Sequence, residues 1–204
     1  MKRTTQKFLF LLTIFLLITS TVVAQNFVPF TTGKYTGSLK GDMLLIGNNV
    51  LNRVQGANTA NVPHNAGGNN NDFNMQYIDV DSDPTTFCSS TADLVIPAKT
   101  TGCYVIKFAA LYWAGMYKQA DITSGRVNRA NLNKVKFKLP GAANYTDITG
   151  TVMYDSYPLD LSATSKGYAS YANVTGLVQS LADANGTYGV ANLIAGSTSN
   201  TSAG

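Results

Sequence analysis

The chain of 204 residues has the length of one large domain or two small ones, enough to bury a sizeable core. Charged residues make up only 13% of it, about half the usual share, and all eleven acids are Asp. Without Glu, and with few Lys or Arg, it lacks the usual material of exposed helix faces; this argues against helical bundles and coiled coils, and the low charge argues against a disordered polyelectrolyte.

The chain opens with a positive segment (Lys2, Arg3, Lys7), an apolar run from Phe8 to Ile18, and small residues before Ala24. This pattern predicts a secretory signal peptide, residues 1–24, cut after Ala24. The apolar run is short for a membrane span, which needs roughly 20 residues. No other segment qualifies as a span, so the mature chain is expected to have none. Three of the fifteen basic residues leave with the leader, so the mature chain has a net charge of only +1. No basic patch remains to suggest a nucleic-acid partner.

Strand signals dominate residues 25–204, which are read as one domain. Asp42–Ile46 is a short apolar run. A loop rich in Asn and Gly follows, with the sole His64. Asn74–Val80 alternates like a strand. Cys103–Trp113 is apolar on both faces apart from Lys107, which predicts a strand in the middle of the structure. In Lys134–Leu139, Val135, Phe137 and Leu139 point one way and three lysines the other, as on a solvated face guarding an edge strand. Tyr145–Tyr154, Tyr168–Val174 and Thr187–Ile194 complete the strand candidates. Val174, Leu177, Val178 and Leu181 have helical spacing and predict one short helix, with Asn173 or Thr175 as N-cap. The expected fold is all-β, an antiparallel β-sandwich with jelly-roll-like connections and that single helix.

Cys88 and Cys103 are the only cysteines. In an exported chain they read as a disulfide stapling two adjacent strands. The closed loop of about 15 residues is worth roughly 3 kcal/mol in the chain-entropy model. Asp79, Asp81 and Asp83 place hard oxygen donors at alternating positions and form a candidate Ca²⁺ site, the only cofactor suggested. Pro84 and Ser90 depart from the helix-loop-helix calcium pattern, and the competing reading is a strand end passing into an Asx turn. Tyr112, Trp113 and Tyr117 are read as core, with stacking on sugar rings as the alternative. Tyr154, Asp155, Tyr157 and Asp160 form a second aromatic and acidic cluster. No catalytic set emerges: His64 has no partner nearby in sequence, and the Asp pairs match no hydrolase motif.

Several segments together resemble a known type of region. They are Asp79–Asp83, Thr86-Phe87, Ser89–Leu94, Ile96-Pro97, Phe108–Gly115, Ala172–Thr175 and Gly186–Asn192. They look like the N-terminal β-sandwich region of large secreted surface proteins of Bacteroidetes-type bacteria, and a mature start at Gln25 is similar to theirs. The resemblance implies a cell-surface, adhesin-like role. It also implies downstream repeats and a gliding-motility-type sorting domain in the same polypeptide. On this view the domain is truncated after the Ser/Thr/Gly-rich end at Gly204. The expected function is a non-enzymatic structural or adhesive module, secreted or on the cell surface, with an extracellular surface or glycan as partner. The alternatives are a carbohydrate-binding sandwich that uses calcium and, behind it, a secreted hydrolase.

Overall fold

The computed structural model describes residues 37–53, 75–98, 103–125, 127–157 and 165–196. The leader, the loop with His64, Asp160 and the residues after Gly196 lie outside the described residues. The fold is all-β. Its strands are β1 (Leu51–Arg53), β2 (Met75–Tyr77), β3 (Ser89–Leu94), β4 (Ala110–Lys118), β5 (Lys134–Lys138), β6 (Thr146–Thr149), β7 (Thr151–Asp155), β8 (Ser165–Asn173) and β9 (Gly186–Ala191). Among the described residues two short helices, α1 (Gln119–Thr123) and α2 (Thr175–Gln179), and one 3-10 turn (Arg129–Asn131) interrupt them.

Every strand pairing is antiparallel. β1 and β2 form a small ladder, β3-β9-β5-β6 a four-stranded sheet, and β4-β8-β7 a three-stranded one. All three feed one hydrophobic core: Leu51 and Met75 from the first, Val135, Phe137 and Tyr188 from the second, Trp113, Tyr117 and Tyr168 from the third. Trp113 donates its indole N–H to the Leu132 carbonyl at 2.9 Å, so its polar edge is satisfied inside the core.

Strand order corrects two expectations. β5 is an interior strand between β9 and β6, so its lysines do not guard an edge. They line a solvated face, where Lys136 pairs with its cross-strand neighbour Asp147 at 3.0 Å. β4, expected in the middle, is an edge strand of its sheet. Its inward residues Trp113 and Tyr117 are buried, while Tyr112 and Ala114 face out. The strand also starts only at Ala110, leaving Val105 exposed in the preceding extended chain. Asp42–Ile46 is not a strand: Met43 and Leu45 are exposed, and no ladder among the described residues includes the run.

Two local devices shape the three-stranded sheet. The run predicted as one strand, Tyr145–Tyr154, is split at Gly150, where the chain leaves one sheet for the other. A Cβ there would collide with the Tyr171 carbonyl and the Trp113 ring, so only Gly fits the crossing. Within β7 the register shifts between Val152 and Tyr154, a β-bulge. The extra residue reverses the alternation after it. Tyr154 is therefore turned to solvent and Asp155 into the core, opposite to what strict period two from Thr151 dictates.

The predicted helix is present but shorter than its apolar spacing implied. Val174 occupies the N-cap and Ser180 the C-cap. Asn173 still serves the helix start, its carboxamide oxygen accepting from the Thr175 N–H at 3.0 Å. Helix α1 carries no apolar spacing signal. It is held by Asp121, whose carboxylate accepts the Lys118 N–H at 2.7 Å. Among the described residues no helix is long and apolar enough to cross a membrane.

Candidate functional site

The acidic run sits where β2 hands over to β3, with Ser82 in the left-handed region at φ 51°. Asp79 Oδ1 accepts from the Ser82 N–H at 3.2 Å, Asp81 Oδ1 from the Asp83 N–H at 3.3 Å, and Asp83 Oδ1 from the Thr85 N–H at 2.8 Å. The Asp81 and Asp83 bonds, each two residues on, are Asx turns, one of the two readings of the run. The hub is buried Ser89, whose hydroxyl lies 2.8 Å from Asp79 Oδ1 and 3.0 Å from Asp81 Oδ1 and accepts the Val80 N–H at 2.8 Å. Tyr145 closes the cluster by donating to Asp81 Oδ2 at 2.6 Å. Burial pushes the Asp81 carboxyl up, but the hydrogen bonds from Tyr145 and Ser89 override it and hold it below its ordinary value. The Thr85 N–H and hydroxyl hold Asp83 low. Asp79 and Asp81 thus converge on Ser89, while Asp83 turns away to Thr85. No group of three His, Cys, Asp or Glu among the described residues is arranged to hold a metal ion.

Of the two cysteines expected to pair, Cys88 is buried and Cys103 exposed. The strand that follows Cys88, β3, pairs with β9 and not with the chain after Cys103, so the two cysteines do not face each other across a ladder. The Cys88 thiol instead points at the Leu193 carbonyl, 3.5 Å away. Burial pushes its pKa up to about 12, which makes it inert as a nucleophile.

A second carboxylate cluster is assembled from distant segments at one end of the β4-β8-β7 sheet. The bulge in β7 delivers Asp155, which is only 3% exposed. Its Oδ1 accepts from the Tyr117 hydroxyl at 2.6 Å and from the Tyr157 N–H at 3.1 Å. Its Oδ2 receives Arg129 Nη2 at 2.5 Å and Nε at 3.1 Å. The guanidinium lies over the Tyr157 ring, 4.1 Å from its centroid. Burial and the adjacent Asp155 push the Tyr117 hydroxyl well above its ordinary range. Burial works against the Arg129 charge, but Asp155 and Tyr117 overcome this and hold it more firmly protonated. With each oxygen already engaged, Asp155 is committed to structure and poorly placed to act as a general base. Across the ladder from Tyr117 is Lys166, 1% exposed, whose Nζ has no hydrogen-bond partner among the described residues.

The structure therefore redistributes the two predicted aromatic groups. Trp113 and Tyr117 are both core, and Tyr117 also hydrogen-bonds Asp155, which accepts the Tyr157 N–H. Tyr112 and Tyr154 lie on the outer face of the sheet, 56% and 39% exposed. The sequence reading missed Arg129, Lys166, Tyr145 and Tyr171. Arg129 and Lys166 carried one usable signal, as rare charges in a chain poor in them. No family model, curated protein or solved structure matches the chain.

Proposed function

We propose that the chain is a structural and adhesive module of an exported bacterial surface protein, and that it is not an enzyme. One observation carries this: the carboxylates of both clusters are occupied by internal hydrogen bonds that tie segments of the fold together. A hydrolase needs two carboxylates facing a substrate in distinct environments. Here Asp79 and Asp81 share a Ser89-centred turn, and Asp155 is buried under Arg129 and Tyr117. The signal-peptide pattern and the resemblance to surface-protein sandwich regions support export and a sandwich arrangement of the two larger sheets.

The test is to express the full chain with a C-terminal tag in a Gram-negative bacterium and label intact cells with a membrane-impermeant biotin reagent. The expected result is a labelled or medium-exposed chain whose intact mass corresponds to a start at Gln25. Retention in the cytoplasm with the leader intact would overturn the proposal. So would turnover of a panel of glycoside and ester substrates by the purified chain, provided Asp155→Asn abolished it while the variant remained folded.

A further inference from the structure

The outer face of the β4-β8-β7 sheet carries two exposed tyrosines, Tyr112 and Tyr154. Pairing register places its outward residues in two rows across the strands. One row runs Tyr112, Tyr171, Thr151; the next runs Ala114, Ala169, Tyr154. Tyr112 and Tyr154 thus stand on the two edge strands, diagonally opposed. Two strand spacings and two residues of rise put their backbones roughly 12 Å apart. Between them Ala114 and Ala169 keep the surface low. Tyr112 leans on the largely buried Tyr171 ring, centroids 5.0 Å apart, so an exposed side chain is already held in place.

We propose that this face binds an uncharged polysaccharide chain, stacked on Tyr112 and Tyr154. The inference rests on the adhesive reading above and gives it a ligand class. No Asp, Lys or Arg stands at any of the six positions, so the complementary ligand carries no charge. Exposed Tyr rings offer apolar faces to the C–H faces of sugar rings, and their hydroxyls, with that of Thr151, offer polar partners at the rim. A backbone separation of roughly 12 Å between the two tyrosines suits an oligosaccharide rather than a single sugar. No carboxylate takes part, so binding needs no calcium.

The full mature chain would be mixed with insoluble cellulose, chitin and curdlan as neutral probes, with alginate gel as a charged one, and the depletion isotherms measured. Retention on at least one neutral polysaccharide, unchanged by EDTA, is the expected result. Tyr112→Ala and Tyr154→Ala should each weaken it about tenfold, and Tyr112→Phe should leave it within about threefold. Ala114→Lys, which keeps both rings but charges the floor between them, should also weaken it. Circular dichroism would verify that each variant is folded. Failure to bind any neutral polysaccharide would overturn the proposal, as would equal retention of the folded double Tyr→Ala variant. Concentration-dependent dimerisation that the double variant abolishes would identify a second copy as the occupant and overturn it too. A chain that is exported but binds no glycan defeats this inference alone; one that stays in the cytoplasm yet binds through these tyrosines defeats the surface reading alone.

Discussion

Among the described residues, two hydrogen-bonded networks are built on Asp carboxylates, and they have opposite character. The Asp79–Asp83 turn is continuous in sequence and largely exposed, and most of its bonds stay within a few residues. The Asp155 cluster draws on β4, β7 and the 3-10 turn before β5, and it is buried. The first is conspicuous in sequence and the second is nearly invisible there. Their energetics run the other way. Exposed hydrogen bonds and charges exchange with water at little net gain, whereas a buried, fully bonded carboxylate cannot lose its partners without leaving charge stranded.

The largest expected effect is at the buried cluster. Asp155→Ala removes the acceptor of Tyr117 and Arg129 and is expected to cost about 3 kcal/mol, the low end for a broken buried pair because Arg129 is partly exposed. Thermal unfolding followed by circular dichroism should show a drop of roughly 6–12 °C. A drop of under a degree would mean that the cluster does not hold the fold.

Lys166 sharpens the same point with the opposite sign. Its buried Nζ has no hydrogen-bond partner among the described residues, so Lys166→Met is expected to stabilise by about 1–2 kcal/mol. A lower midpoint in urea would show that the amine is satisfied in solution. The cysteines follow by accessibility. Buried Cys88 should react with an alkylating reagent only after unfolding. Mass spectrometry of the labelled chain would decide, and labelling of Cys88 in the native protein would contradict its burial.

The smallest effect belongs to the acidic turn. Tyr145→Phe removes the donor to Asp81 and is expected to cost under about 1 kcal/mol at neutral pH. Asp81 has a folded pKa below its ordinary value of 3.8. Its contribution is therefore whole above pH 3.8 and is lost as the pH falls through the lower folded value. The stability gap between wild type and Tyr145→Phe should accordingly shrink in acid, and a gap that widens there would reverse the assignment.

What was legible in the sequence was local. Period two in Lys134–Leu139 gave the right buried face, and the spacing from Val174 to Leu181 gave a helix. The Asx turn followed from Asp spacing before Pro84. Strand order was not legible, because whether β4 or β5 is an edge depends on partners far along the chain. The bulge in β7 was invisible for a similar reason. One extra residue set by pairing with β8 sends Asp155 inward and Tyr154 outward, and so helps to create both the buried cluster and the aromatic face. The partner of β3 was not legible either: it is β9, almost a hundred residues further along the chain.

The most direct test is a side-by-side thermal unfolding of Asp155→Asn and Asp81→Asn at pH 7. A midpoint lowered by several degrees in Asp155→Asn, with Asp81→Asn within about 2 °C of wild type, is the predicted result. The reverse order, with the exposed turn proving the costlier to break, would contradict the claim that the buried cluster holds this fold.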